Sequence, residues 1–326
     1  MTIDPASSKL KAEHKHSAPL LCCAYDRSGR FLFAGARDRS LLLLETESNQ
    51  CRVLEGHESW VGQLAFAGGG LMLSADFVGQ VIAWDCTLTQ PKPKWNIPAH
   101  PSAILGLSAS ADGNTFATGD REGRVRIWET SNGKQLHELP SAEYPVHGVA
   151  LHPDGRRLIT ADRQPQKPRI KVWDFRANKE LLAIEVAPLS GYRRVEDIEW
   201  GGIRGLALSP DGRQIIACGR AGYDGQACAL VYGTDDGTLQ RKLSLALKGG
   251  FYYSAKFHPQ GFLMTAGGDL AKGEVRSWNT QQDQSLADLP TPSPCMGVDI
   301  HPEGQQFAVA TLGKDSGALL IYDWTN

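Results

Sequence analysis

Histidine is the residue type whose spacing in this sequence is most compatible with chemistry. His14 and His16 form a lone H-x-H pair, and imidazole is a common metal ligand. Three other histidines precede proline at one point of an H-P-(D/Q/E)-G segment: His152, His258 and His301. A residue that recurs at one point of a turn is expected to build the turn, and His14 belongs to a predicted outer strand. We therefore predict no metal ion and no cofactor.

The sequence lacks the motifs by which many catalytic and nucleotide-binding sites are recognised. It contains no P-loop, no G-x-G-x-x-G, no H-E-x-x-H, no EF-hand loop and no G-x-S-x-G. No two residues are identifiable as a general acid and a general base. We therefore expect a protein that is not an enzyme.

Composition and charge argue against several classes of protein. The 326 residues carry 34 Lys and Arg against 36 Asp and Glu, a net charge of −2 that does not suit a dedicated nucleic-acid binder. No run of 18 apolar residues predicts a membrane span, and no apolar secretion signal is present. Seven cysteines without a C-x-x-C pair argue against a disulfide framework or zinc site. We expect a cytoplasmic protein without nucleic-acid or membrane partners.

The elements that must position these residues form an internal repeat. A pattern of strand, turn, strand, turn and strand appears as LLCCAYDRSGRFLFAGARDRSLLLLE from Leu20 and as ILGLSASADGNTFATGDREGRVRIWE from Ile104, with five further copies. The third strand of each copy ends on a large side chain, at intervals of 40 to 59 residues: Leu44, Trp84, Trp128, Trp173, Tyr232, Trp278 and Tyr322. These intervals suit a four-stranded propeller blade. We expect the large side chains to fill the gaps between neighbouring blades.

Paired residues at these strand ends, and two pairs that precede first strands, carry a resemblance to a known family. The pairs are W-D-like or G-H-like: Trp84-Asp85, Trp128-Glu129, Trp173-Asp174, Tyr322-Asp323, Gly56-His57 and Ala99-His100. The chain resembles the WD-repeat (WD40) β-propeller family over nearly its whole length, and its compact repeats look similar to bacterial members. The resemblance implies an all-β fold of seven four-stranded antiparallel blades, in a single domain spanning residues 1–326.

Blades of this family typically share a polar network of a histidine before strand one, a Ser or Thr on strand two, an Asp in the following turn, and the Trp. The resemblance implies structural roles for nine residues: His16, His57, His100, Ser74, Thr118, Trp84, Trp128, Trp173 and Trp278. In this register the turn residue is Asp38 in blade one, Val78 in blade two and Glu122 in blade three. The histidine position holds other residues in blades four to seven: Ala142, Glu199, Lys248 and Thr291.

The seventh copy stops after its third strand, and we expect the beginning of the chain to supply the fourth. In the segment SKLKAEHK, Leu10 and Ala12 alternate with charged residues, as in an outer strand with one wet face. We predict that residues 8–15 are the closing outer strand of the last blade and that residues 1–7 are flexible.

Extra length falls in the loops between strands two and three of blades four to seven, and in the crossing from blade four to blade five, Ser190–Gly202. The blade-four loop is Arg163–Arg169, and the blade-five loop is Arg220–Ala227. Such connections emerge on one face of a propeller, and long loops on a rigid scaffold often carry recognition. Aromatic and cationic residues of this face are the predicted partner-binding set: Trp60, Arg163, Lys167, Arg169, Tyr192, Arg193, Arg194, Trp200, Tyr223, Phe251 and Tyr252.

We predict a non-catalytic protein–protein interaction scaffold, a monomeric propeller within a complex, that binds a protein or peptide on the elongated loop face of blades 4–7. A specialised form is recognition of a modified or acidic peptide by aromatic and arginine side chains. An alternative is a channel-mouth enzyme of the hydrolase or lactonase type, although Lys256 and Asp299 share one strand-one column in neighbouring blades and are expected to pair. The W-D-x-R segment from Trp173 to Arg176 leaves a further alternative, a substrate-receptor subunit that docks on a ubiquitin-ligase adaptor.

Overall fold

The computed structural model describes residues 3–193, 198–199, 201–222 and 225–324, which form the predicted seven-bladed β-propeller. Blade one contains β2 (Leu20–Tyr25), β3 (Phe31–Ala36), β4 (Leu41–Glu45) and β5 (Cys51–Leu54). Blade two contains β6 (Val61–Phe66), β7 (Leu71–Asp76), β8 (Gln80–Asp85) and β9 (Lys92–Pro98). Blade three contains β10 (Ile104–Ala109), β11 (Thr115–Asp120), β12 (Val125–Glu129) and β13 (Gln135–Leu139). Blade four contains β14 (Val146–Leu151), β15 (Arg157–Asp162), β16 (Arg169–Asp174) and β17 (Lys179–Glu185).

A two-stranded hairpin lies in the crossing to blade five, formed by β18 (Tyr192–Arg193) and β19 (Ile198–Glu199). Blade five contains β20 (Gly205–Leu208), β21 (Gln214–Arg220), β22 (Gln226–Gly233) and β23 (Leu239–Lys248). Blade six contains β24 (Phe251–Phe257), β25 (Phe262–Gly268), β26 (Gly273–Asn279) and β27 (Ser285–Thr291). Blade seven contains β28 (Cys295–Ile300), β29 (Gln306–Thr311), β30 (Gly317–Trp324) and β1 (Ser8–His16). Short 3-10 helices lie at Pro5–Ser7, Gly68–Gly70 and Ala187–Leu189. The first falls within residues 1–7, whose flexibility stays a prediction.

The N-terminal strand closes the last blade, as predicted. β1 pairs antiparallel with β30, with Ser8 opposite Trp324. A shift in register between Leu10 and Ala12 interrupts the alternation expected for this strand, because a bulge adds a residue to one strand only. As a result Leu10 is 52% exposed, whereas Ala12 packs against the cluster between blades seven and one.

The core consists of apolar clusters in the gaps between adjacent blades. Trp84 of blade two packs with Phe33 of blade one, and Leu44 of blade one packs with Leu319 of blade seven. All seven large side chains that end the third strands are buried, as predicted: Leu44, Trp84, Trp128, Trp173, Tyr232, Trp278 and Tyr322. Burial of one such side chain contributes about 2 kcal/mol to the free energy of folding. The side chains that fill the gaps therefore hold adjacent blades together.

The first strands of the seven blades contact one another in a ring around a central channel. In six blades the register shifts near the start of this strand, at the third residue in blade six and at the second in the other five, so one residue there stands outside the ladder. Arg204 occupies the matching position of blade five, where its N–H donates to the carbonyl oxygen of Cys218. Residues at this position line the channel: Leu21, Gly62, His147, Arg204, Tyr253 and Met296.

Candidate functional site

The predicted polar network is complete in blade two. The Trp84 indole N–H donates to Ser74 Oγ at 2.8 Å, and Ser74 Oγ lies 2.6 Å from His57 Nε2. His57 Nδ1 lies 3.0 Å from Asp76 Oδ2. Because an ionised carboxylate only accepts, Nδ1 carries the proton and Nε2 accepts from the serine hydroxyl. All four side chains are buried, so the network ties the loop before strand one to strands two and three.

Blade three contains the same network. The Trp128 indole N–H donates to Thr118 Oγ1 at 2.8 Å, and this oxygen lies 2.7 Å from His100 Nε2. His100 Nδ1 lies 3.1 Å from Asp120 Oδ2. In these two adjacent blades the buried histidines link the loop before strand one to the second strand.

The position of the carboxylate corrects the sequence register. Val78 and Glu122 hold the expected turn position in blades two and three, but the histidine partners are Asp76 and Asp120, two residues earlier. Each carboxylate ends its second strand and accepts N–H groups of the following turn, including that of Val78 at 3.1 Å and that of Glu122 at 2.9 Å. In blade one the turn residue itself is the partner, because Asp38 Oδ2 lies 2.8 Å from His16 Nε2.

Hydrogen bonding lowers the pKa of the Asp120 carboxyl. Burial by itself would raise its pKa, but hydrogen bonds from His100, from the Arg124 N–H and from Ser102 outweigh burial and lower the pKa to about 2. The pKa of Asp76 is lowered in the same way, because hydrogen bonds from His57 and from backbone N–H groups exceed the effect of burial. Both carboxylates are therefore ionised and fully engaged within the fold.

Two threonines of the framework are absent from the predicted set. The Trp173 indole N–H donates to Thr160 Oγ1 at 3.0 Å, and that of Trp278 donates to Thr265 Oγ1 at 2.9 Å. Both threonines occupy the strand-two column of Ser74. The recurring column was the signal by which they could have been found.

The histidines that precede proline build turns, as predicted, and they also join blades on the face opposite the loop face. Each accepts at Nδ1 from an N–H two residues further on, and its Nε2–H donates to a glycine carbonyl in the turn of the next blade. The contacts are His152 with Gly212 at 3.1 Å, His258 with Gly304 at 2.8 Å, and His301 with Gly29 at 3.2 Å. The last of these spans the closure between blades seven and one.

The expected ion pair lies in the central channel. Lys256 Nζ is 3.0 Å from Asp299 Oδ1, and Asp299 Oδ2 accepts the Tyr25 N–H at 2.7 Å. The channel has a volume of about 190 Å³ and is lined by the first strands of the blades. The Asp299 carboxylate is thus neutralised, which does not suit a general base.

Arginine recurs at turns on the face that carries the long loops, called here the loop face. The residue that ends or directly follows the second strand is arginine in four blades: Arg37, Arg121, Arg163 and Arg220. The N–H of Arg163 donates to the Pro145 carbonyl oxygen at 2.9 Å, and the matching bonds of Arg37 and Arg121 have the same form. These bonds join strand-two turns to blade crossings, so the two kinds of connection share one face, as predicted.

Trp60 stands on this face over blade two, as expected. Its side chain is 41% exposed and its ring lies 5.5 Å from that of Phe77. The Arg37 guanidinium lies 4.8 Å from the Trp60 ring centroid. Such contact between a cation and an aromatic face holds the indole in a defined orientation.

Phe251 and Tyr252, predicted to contact a partner, are both buried. The Arg204 guanidinium lies 5.1 Å and that of Arg220 5.7 Å from the Phe251 ring centroid, so Phe251 supports the arginines. The assignment of Tyr252 to a binding surface is wrong. Tyr252 is the second residue of β24, is fully buried and donates its hydroxyl to Glu274 Oε1 at 2.8 Å, because that side of the strand faces the gap between blades five and six.

The remaining predicted contact residues differ in their exposure and in whether the structure describes them. Lys167 and Arg169 are exposed on the blade-four loop, and Arg163 is half-buried at its start. Arg194, Trp200 and Tyr223 lie outside the described residues, and for Tyr192 and Arg193 the structure describes the backbone alone, as strand β18. The predicted set as a whole stays a prediction.

Two features of the described residues bear on partners and cofactors. No three His, Cys, Asp or Glu side chains gather there as metal ligands would. In the same part of the chain, no helix has the length and apolar character required to cross a bilayer.

Comparison with known proteins agrees with this architecture. The WD domain, G-beta repeat model matches residues 8–43, 91–129 and 133–174, and each match spans one outer strand and three strands of the next blade. Apoptotic protease-activating factor 1 of Homo sapiens is 25% identical over 209 residues, which cover 64% of this chain and 16% of that protein.

Two further relatives are similar over about half of this chain. Nuclear distribution protein PAC1 of Arthroderma benhamiae is 25% identical over 218 residues, 57% of this chain and 46% of that protein. Target of rapamycin complex subunit wat1 of Schizosaccharomyces pombe is 24% identical over 180 residues, 54% of this chain and 52% of that protein. The chain thus spans about half or less of the length of these three relatives. The seven four-stranded blades and these repeat matches together confirm the predicted resemblance to the WD-repeat family of β-propellers.

Proposed function

We propose that this propeller is a non-catalytic scaffold that binds a protein or peptide on the loop face of blades 4–7. The observation that carries the proposal is the contrast between the two kinds of polar residue. Buried histidines, carboxylates and threonines are engaged with one another inside the blades, whereas the loop face carries Lys167 and the four arginines that end or follow second strands. Arginine and aromatic side chains are enriched at protein interfaces, and loops on a rigid scaffold can vary without cost to the core.

The geometry of the channel favours binding over catalysis. Its carboxylate, Asp299, is held by Lys256 and by a backbone N–H. These two contacts fix the Asp299 carboxylate within the fold, which suits a structural role better than that of a general base.

We also propose that the protein acts as a monomeric propeller within a larger complex, in a reducing compartment such as the cytoplasm. The relative named as a target of rapamycin complex subunit supports participation in a complex. The seven cysteines support a reducing compartment, since all are free thiols.

Affinity capture from the native organism, with chemical cross-linking and mass spectrometry, tests the scaffold. The test variant combines Lys167→Glu with Arg169→Glu on the loop face, and the control combines Arg27→Glu with Arg213→Glu on exposed turns of the opposite face. We expect wild type and control to capture the same partners, and the loop-face variant to lose them while its melting temperature stays unchanged. Undiminished capture by the loop-face variant would contradict the proposal.

A further inference from the structure

We propose that the loop-face mouth of the channel binds an anionic group of the partner peptide, a carboxylate or a phosphate, with Arg204 as its central ligand. The inference rests on the proposed function, because it names the chemistry by which the same face would recognise its partner.

Arg204 has a guanidinium nitrogen that no described residue accepts from. Its side chain lines the channel beside His147 and Tyr253, and its guanidinium rests on the Phe251 ring at 5.1 Å. Its Nε is buried and has no hydrogen-bond partner among the described residues. A buried donor left unpaired is costly, so a guanidinium kept in this state is suited to an acceptor from outside the chain.

Among the described residues, a second arginine lies close enough to act on the charge of Arg204. Burial first, and then the nearby charge of Arg163, lower the pKa of Arg204 to about 10. Lys256 also faces the channel, but Asp299 neutralises it. An anion at the mouth would be attracted by the Arg204 guanidinium, and a concave site with low-dielectric walls concentrates such a field.

The neutral groups beside Arg204 are hydrogen-bond donors. Burial, followed by the charges of Arg163, Arg204 and Arg121, lowers the pKa of His147 to about 3, so its imidazole is neutral at pH 7 and retains one N–H. Burial raises the pKa of Tyr253, which keeps its hydroxyl protonated. A guanidinium, an imidazole N–H and a phenol hydroxyl together match the oxygens of a carboxylate or phosphate.

The size of the site indicates a single side chain as its occupant. The channel volume of about 190 Å³ lies below the roughly 300–1,000 Å³ typical of small-molecule pockets. The net charge of the chain, −2, provides no general attraction for a polyanion such as nucleic acid. A peptide that lies across the loop face and inserts one acidic or phosphorylated side chain fits both facts.

Nuclear magnetic resonance on the full chain can test this site directly. The probes are blocked pentapeptides Gly-Gly-X-Gly-Gly, where X is glutamate, phosphoserine or glutamine, and the reporter is the Arg204 Nε–H resonance, assigned by its loss in Arg204→Met. We expect the two anionic peptides to shift this resonance and the glutamine peptide to leave it unchanged. A stronger response to one anionic peptide distinguishes a carboxylate source from a phosphate source.

Two variants separate binding from folding. Arg204→Met should weaken binding of the anionic peptides at least about tenfold, the scale of one charge-assisted hydrogen bond. The matched control Arg213→Met, exposed on the opposite face, should bind as wild type does. Arg204→Met should not lower the melting temperature, because it removes an unpaired charge, whereas loss of a structural arginine would lower it.

The outcomes separate this inference from the proposed function. Equal shifts with the glutamine peptide, no shift with any peptide, or undiminished binding by Arg204→Met would each overturn the anion site. If partner capture still depends on Lys167 and Arg169 in that case, the scaffold stands and only its anion chemistry is refuted. If the anionic peptides bind but partner capture does not depend on Lys167 and Arg169, the anion site stands and the assignment of the partner surface to blades 4–7 is contradicted.

Discussion

Replacing Asp120 with asparagine removes the negative charge of the acceptor that the structure assigns to the buried His100. The carboxylate has a pKa of about 2 in the fold against 3.8 as its ordinary value. At about 1.4 kcal/mol for each tenfold change in acid dissociation, its ionised form contributes about 2 kcal/mol to folding. Because the folded pKa is the lower one, this contribution is present above about pH 4 and is lost as the pH falls to about 2. We expect Asp120→Asn to reduce the free energy of unfolding at pH 7 by about 2 kcal/mol.

Urea unfolding at pH 7 and across pH 5 to 3 measures both effects. The variant should lose stability less steeply with falling pH than wild type, because it lacks the carboxylate. Glu122→Gln is the control, since Glu122 holds the turn position, has a 51% exposed side chain and pairs with Arg124. Exposed pairs contribute little, so its effect should stay within about 0.5 kcal/mol. A larger loss from Glu122→Gln than from Asp120→Asn would refute the register found here.

Two further predictions concern the packing and closure of the ring. Trp128→Ala should cost about 3–5 kcal/mol, because it empties part of the gap between blades two and three and removes the hydrogen bond to Thr118. Calorimetry should show a melting temperature about 10 °C lower, and an unchanged value would contradict this packing. Deleting residues 1–15 should uncover the edge of β30, lower stability and promote association visible by light scattering. A monomeric truncation with wild-type stability would show that closure does not need this strand.

The repeat period was sufficient to predict the blades and their closure. A large side chain recurring at the end of each third strand has one common place to pack, and the gaps between blades provide it. The N-terminal strand could be predicted because the last repeat lacked its fourth strand. The polar network was less predictable. An Asp follows Ser74 and Thr118 by two residues, but the sequence does not show which of two nearby turn positions faces the histidine.

The binding surface was predictable only in outline. Tyr252 and Phe251 follow a long outer strand directly and have residue types common at interfaces, yet the backbone turns both inward. Arg204 and His147 were not selected, because each lies at the start of an ordinary first strand, Arg204 directly before it and His147 as its second residue. The register of that strand, which a bulge sets in blade four, gives this position its place at the channel.

By itself, the sequence determined the number of blades, their order and the large side chains that pack between them, because these follow from local periodicity repeated along the chain. The tertiary structure decided which polar groups meet. His100 finds Asp120 across the fold of one blade, and Arg204, His147 and Tyr253 come together from three neighbouring blades only when the ring has formed. Such contacts depend on where each side chain points around the axis of the ring, and this direction is set by strand register, bulges and closure together.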